Sequence, residues 1–161
     1  MNDFSVRTAT PDDLQKIYLM GFDVWSEGKN TRQYLEECRH SVKYQTGEWF
    51  LLEENDQILS SLIVYALGEH IFGIGSIATS PALRKKGYAS HLVQNVVHTL
   101  ESADPEAVLF LYADIGPSFY EKLGFTVLPK EAQRYQKTQC MIRGKNITRF
   151  IADPRINPEY F

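Results

Sequence analysis

Residues 84–89 read Arg84-Lys85-Lys86-Gly87-Tyr88-Ala89, a basic turn with a glycine in its centre. The first N–H groups of an α-helix have no partner inside the helix and carry a partial positive charge. A turn that aims such groups outward binds anionic oxygens with backbone alone, and flanking cations add to the attraction. Glycine at 87 lets the backbone approach closely. The chemistry suggested is that of a pyrophosphate cradle, provided that a strand ends just before the turn and a helix starts just after it.

The rest of the chain provides both. Ile71 to Thr79 reads as a strand that Pro81 closes. From Tyr88 on, Ala89, Leu92, Val93, Val96, Val97 and Leu100 recur at steps of three and four, the stripe of a helix packed on a sheet. Upstream, Phe4, Val6 and Thr8 alternate as a short strand. Thr10-Pro11-Asp12-Asp13 then supplies an N-cap, a proline at the first helical position and an acid three residues after the cap, so a helix is predicted to begin there. Leu14, Ile17, Tyr18 and Gly21 form its apolar face. Gly21 and Gly28 bracket a loop with Asp23, Trp25 and Glu27, and a second helix is predicted over Thr31 to Tyr44.

Trp49 to Leu52, the turn Glu54-Asn55-Asp56-Gln57 and Ile58 to Leu67 read as an antiparallel hairpin, and Gly68-Glu69-His70 turns into the strand from Ile71. Val108 to Tyr112 is apolar without alternation, the pattern of a central strand covered on both faces. Gly116-Pro117 opens a short helix that turns Phe119, Tyr120 and Leu123 inward and stops at Gly124, before a strand at Phe125-Thr126-Val127 and a last strand or two. From about residue 145 the tail reads as irregular. Its Phe150, Ile151, Tyr160 and Phe161 need a surface to pack on, either in their own domain or in a partner, which leaves a homodimer open.

Composition narrows the classes. With 161 residues, 43% hydrophobic and 23% charged, the chain is expected to form one domain over 1–161. A net charge of −3 gives no global basic field, so nucleic acid is not an expected partner. Cys38 and Cys140 lack CxxC or zinc spacing, so neither a disulfide framework nor a metal site is expected. The start Met1-Asn2-Asp3-Phe4 lacks the layout of a signal peptide, and no apolar run approaches the ~20 residues of a membrane helix. The expectation is a soluble cytoplasmic protein with no membrane partner.

The element order predicts an α+β fold with a mixed, mostly antiparallel central sheet flanked by helices. That order, with Arg84-x-x-Gly87-x-Ala89 and the later Tyr120-Glu121-Lys122-Leu123-Gly124-Phe125, resembles the GNAT superfamily of N-acetyltransferases up to about residue 130. The turn alone is weak evidence; its place between strand and helix, about 30 residues before YEKLGF, is far more specific.

The resemblance implies acetyl-CoA as co-substrate and a GNAT-like sheet. It places Lys85, Lys86, Gly87, Tyr88, Ala89 and Ser90 at the pyrophosphate, Ile77, Ala78 and Thr79 along the pantetheine arm, and Ser118 and Arg84 among the cofactor contacts, with a structural role in tying the turn together as the equal alternative for Arg84. Pantetheine carries two amides, so a splayed strand edge can bind it as another strand. Tyr120 matches the family's usual general acid: a phenol with a pKa near ~10 suits protonation of a departing thiolate. Tyr112 is a rival. Where many members carry asparagine, seven residues before that tyrosine, this chain has Ala113.

The implied reaction is direct transfer of acetyl to a primary amine, small-molecule or peptide, in a ternary complex. Neither cysteine lies near the motifs, in keeping with direct transfer. An alkylammonium with a pKa near ~10.4 must first lose a proton. Some relatives place a base on the strand before the turn, but here Gly73, Gly75 and Ser76 stand there, leaving room for substrate or water. Glu69, His70, Asp23, Glu27 and Asp114 are the remaining base candidates, and Trp25, Glu27 and His70 are candidates for acceptor binding. The alternative is a non-catalytic acyl-CoA-binding regulatory module of the same fold.

Overall fold

A computed structural model describes residues 3–161. Met1 and Asn2, part of the amino-terminal stretch without a leader-like layout, lie outside the described residues. The strands are β1 Ser5–Thr8, β2 Glu48–Glu54, β3 Gln57–Gly68, β4 Ile71–Thr79, β5 Val108–Ala113, β6 Thr126–Val127 and β7 Gln139–Arg143. The helices are α1 Leu14–Met20, α2 Phe22–Trp25, α3 Thr31–His40, α4 Val42–Thr46, α5 Tyr88–Ala103, α6 Ser118–Glu121 and α7 Thr148–Ala152. The seven strands follow the order β1-β2-β3-β4-β5-β7-β6. The β4–β5 pair is parallel, whereas β1–β2, β2–β3, β5–β7 and β6–β7 are antiparallel, so the expected α+β, mostly antiparallel sheet is present. Among the described residues no helix is long and apolar enough to cross a membrane.

The chain divides into two compact units, one of Met1–Val64 with Ser76–Val96 and one of Tyr65–Gly75 with Val97–Phe161. In the first, Asp13 accepts the Thr10 backbone N–H at 2.7 Å, closing the acid-capped start read from the sequence. The first turn is a 3-10 segment, Pro11–Asp13, that leads into α1. Arg7 ties this start to the sheet, with Nε 3.0 Å from Glu53 and Nη1 2.7 Å from Asp13. The β2–β3 hairpin turns at Asn55 and Asp56, whose φ of 50° and 63° are those of a type I′ turn. Its interior holds Ile17, Leu35, Leu51, Leu52, Leu62, Ile63, Leu92 and Val93.

Two local expectations change in this unit. The helix predicted over Thr31 to Tyr44 is broken at Ser41, which is extended (ψ 117°) and whose hydroxyl accepts the Tyr44 N–H to start α4. The loop between Gly21 and Gly28 contains the short helix α2. It can form there because Gly21 has no Cβ: one would lie 2.0 Å from Cε3 of Trp25, whose ring covers it.

In the second unit β5 is the strand between β4 and β7, and its apolar run is buried, as its lack of alternation predicts. Val108, Phe110, Cys140, Ile142 and Phe150 form the core around it. Gly124 ends the α6 segment with φ +90°, the left-handed stop that was expected. The tail, expected to be irregular, instead carries α7 and a 3-10 turn at Pro154–Ile156. The cause is Phe150, 1% exposed and edge-on to Phe110 at 5.1 Å. Burying one such ring stabilises by roughly 1.5–3 kcal/mol, enough to hold a single helical turn.

Candidate functional site

The basic turn lies wholly in the first unit. After β4, Ser80 opens the 3-10 segment Pro81–Leu83, and the chain then passes Lys85 at φ +65° and Gly87 at φ +83°. Hydrogen bonding of α5 begins with the His91 N–H donating to the Gly87 carbonyl at 3.0 Å. The N–H groups of Tyr88, Ala89 and Ser90 precede that first bond and have no acceptor in the helix. Lys85, Lys86 and Gly87 are exposed, and nothing lies within 4 Å of where a Gly87 Cβ would stand. Left-handed backbone at 85 and 87 with amides at 88–90 that lack a helical acceptor is a backbone pattern suited to an anion, and the two lysines raise the local positive potential.

Arg84 does a different job from its neighbours. Its Nε donates to the Thr79 carbonyl at 2.9 Å, and its two terminal nitrogens meet both carboxylate oxygens of Asp23 at 2.6 and 2.8 Å. One of these nitrogens also reaches the Met20 carbonyl, at 3.3 Å. The guanidinium thus joins the end of β4, the end of α1 and α2, and sets the turn's position. The same bonds hold the Asp23 carboxyl below the usual carboxylate range and so weaken it as a base.

Ile77, Ala78 and Thr79 form the last three residues of β4. The strand is distorted just before them: Ser76 has φ +45°. The buried hydroxyl of Ser60 donates to the Ala78 carbonyl at 2.8 Å and lies 3.1 Å from the Thr79 hydroxyl, so the segment is fastened from its β3 side. Pairing of β4 with β5 spans Ile71–Gly73 alone. Ser76 Oγ also lies 3.5 Å from the hydroxyl of Tyr44. Trp25, 38% exposed, packs on Gly21, and Glu27, at φ +51°, has its carboxylate 3.7 Å from Lys29.

The remaining candidates belong to the second unit. Tyr120 sits in α6, edge-on to Phe119 at 5.0 Å, and its carbonyl accepts the N–H groups of Leu123 and Phe125. Burial, with the Asp114 charge, raises its phenol, so the proton is retained at neutral pH and available to a stronger base. Its hydroxyl makes no hydrogen bond within the described residues, whereas that of Tyr112 donates to the Pro158 carbonyl. Tyr112 is therefore the less available acid. Ser118, the first residue of α6, is exposed. Asp114 accepts the Tyr160 hydroxyl at 2.7 Å.

His70, at φ +60°, points its ring into carboxylates: Nδ1 lies 2.7 Å from Asp104, and Nε2 lies 3.3 Å from Glu106 and 3.7 Å from Glu69. These acids, Asp104 first, raise the imidazole's pKa. Its role in this surround is a charge clamp between the β3–β4 turn and the segment after α5, not a free base. Sequence reasoning had no access to Ser60, to the pairing of Asp23 with Arg84, or to the Tyr44–Ser76 contact, because each joins positions distant in the chain.

Comparison with known proteins fits this geometry. No relative is found among curated proteins by sequence. Among solved structures, Escherichia coli ElaA superposes with a TM-score of 0.66 at 16% identity, covering 89% of this chain and 99% of that one. A chimera of the spermidine N-acetyltransferase SpeG from Vibrio cholerae and hSSAT gives 0.66 at 15%, over 93% and 99%. A GNAT family acetyltransferase from Brucella melitensis, in complex with acetyl-CoA, gives 0.60 at 17%, over 87% and 88%. At these identities the likeness is one of fold. The Acetyltransferase (GNAT) family profile matches residues 12–125, taking in the basic turn and Tyr120, and the chain belongs to that family.

Proposed function

We propose that the chain is an N-acetyltransferase that takes acetyl-CoA as co-substrate and moves its acetyl group directly to a primary amine, with residues 1–161 acting as one catalytic domain. The observation that carries this reading is the turn at 84–90. Its arginine is consumed in fixing the backbone, its two lysines are exposed, its glycine has open space beside it, and its first helical amides precede the first helical hydrogen bond. Such a turn selects a diphosphate by charge and by backbone donors. The acetyl-CoA complex of the Brucella melitensis protein supports the choice of ligand.

In this reading the amides of Gly87, Tyr88, Ala89 and Ser90, with Lys85 and Lys86, hold the pyrophosphate. Ile77–Thr79 offers backbone groups to the pantetheine amides, and Ser118 adds a polar contact. Arg84 is a positioning residue. The amine nitrogen attacks the thioester carbon, the C–S bond breaks, and the leaving thiolate takes the Tyr120 phenolic proton. The attacking nitrogen sheds its own proton to water, since Asp23, His70 and Asp114 are held by protein partners. Trp25 and Glu27 stay as acceptor-side candidates. An amine acceptor accords with the spermidine N-acetyltransferase among the structural neighbours.

Thiol release from acetyl-CoA, followed with a panel of primary amines, tests the reading. Amine-dependent release is expected. Tight acetyl-CoA binding without release for any amine identifies a non-catalytic binding module and overturns it.

A further inference from the structure

The bare face of Gly73 is not open. A Cβ there would lie 2.6 Å from Cζ and 2.7 Å from Cε2 of Phe161, and 3.0 Å from Cδ1 of Leu67. The Phe161 ring meets Tyr65 at 5.7 Å and Tyr112 at 5.4 Å, both edge-to-face, so its place over the strand is defined by rings on two sides. All of these groups belong to the second unit.

Residues 157–161 are fastened along their length. The Asn157 amide, 3% exposed, donates to the Ala132 carbonyl at 3.1 Å. Tyr112 donates its hydroxyl to the Pro158 carbonyl, the Tyr160 N–H donates to the Tyr135 hydroxyl at 3.0 Å, and the Tyr160 hydroxyl donates to Asp114. Phe161 is thus delivered to Gly73 by a segment with four anchors, while its own ring stays half-buried and reachable from solvent.

Gly73 is also the last residue of β4 that pairs with β5, opposite Phe110. The strand then runs on through Gly75, and side chains two apart share a face, about 6.6 Å from one to the next. A group lying along the face of Gly73 and Gly75 therefore meets an aromatic ring at the Gly73 end. That ring takes up the volume of one large side chain at a position where the strand has none.

We infer that Phe161 is a specificity-determining residue, its ring seated on Gly73 limiting the length of the apolar body on the amine acceptor. The inference rests on the acetyltransferase reading, with the acceptor taken to lie along β4 where Gly73 and Gly75 carry no side chain. Short primary amines fit beside the ring. Longer ones collide with it, and its removal opens the volume above Gly73.

The test uses the full chain and straight-chain primary amines from ethylamine to octylamine, with kcat/KM measured for each. In Phe161→Ala the octylamine-to-ethylamine ratio is expected to rise about tenfold or more, since one methylene admitted or refused is worth about that factor. Phe161→Leu, which keeps an apolar contact and fills most of the space, is expected to move the ratio less. A variant that slows every amine alike has lost only packing, and that result overturns the inference. Wild-type protein that releases no thiol with any primary amine overturns the acetyltransferase reading and the inference with it, whereas wild-type turnover with an unchanged ratio overturns the inference alone.

Discussion

Arg84 and Asp23, 61 residues apart, meet as a two-point ion pair, guanidinium nitrogens to carboxylate oxygens at 2.6 and 2.8 Å. The pair is about one-third exposed on the arginine side, so its worth to overall stability is modest. Its consequence is geometric. The same guanidinium holds the Thr79 carbonyl, so the end of the strand and the start of the basic turn are tied together.

Breaking that pair should therefore show in donor binding before it shows in stability. In Asp23→Asn the KM for acetyl-CoA is expected to rise about threefold to tenfold, the effect of roughly 1 kcal/mol, with little change in kcat. Arg84→Lys should behave alike, because an ammonium cannot bridge two oxygens and a carbonyl at once. Steady-state kinetics at saturating amine would check this, and an unchanged KM for both variants would remove Arg84 from the positioning role.

Gly87 is constrained by its backbone rather than by crowding. With φ +83° and nothing within 4 Å of a built Cβ, substitution costs conformational strain and puts bulk at the proposed phosphate site. Gly87→Val is expected to weaken acetyl-CoA binding at least tenfold by calorimetry, as a β-branched residue in left-handed backbone costs more than about 1–2 kcal/mol. Unaltered affinity would count against the turn as the cradle.

The two tyrosines separate by the fate of their hydroxyls. Tyr120→Phe removes a phenol that has no hydrogen-bond partner among the described residues, and kcat is expected to fall about 10²-fold or more with the donor KM nearly constant. Tyr112→Phe removes the donor to the Pro158 carbonyl and should loosen residues 157–161, seen as faster amide exchange there, with a smaller effect on kcat. Equal losses of kcat in both variants would mean that Tyr120 is not the acid.

What was legible beforehand was what local chemistry dictates. The stripe of Leu92, Val93, Val96 and Val97 announced α5, the unbroken run at 108–112 announced an interior strand, and Gly124 marked a left-handed stop where φ is indeed positive. The break at Ser41 was hidden because apolar and polar spacing runs through it and a single serine cap decides the matter. The order in the tail was hidden for another reason. Phe150 forms a helix because Phe110 receives it, and Phe161 has its place because Gly73 leaves one, and no window of sequence holds both members of either pair. The same holds for Asp23, whose type suggested a base until its partner proved to be Arg84.

His70 gives a prediction on pH. Hydrogen bonding to Asp104, then the charges of Asp104, Glu106 and Glu69, favour the protonated ring in the folded chain, so its pKa lies above the ordinary 6.5. A raised folded pKa means that folding takes up a proton, so the clamp's contribution is complete below the unfolded pKa and disappears as pH climbs through the folded one. His70→Asn suits the left-handed backbone at φ +60° but carries no charge, so it isolates this effect. Thermal midpoints of wild type and variant should differ most near about pH 5.5, where the carboxylates remain ionised, and converge toward about pH 9. A gap independent of pH would show that the ring acts there through packing and neutral hydrogen bonds, and a gap that widens with pH would reverse the assignment of a charged imidazole.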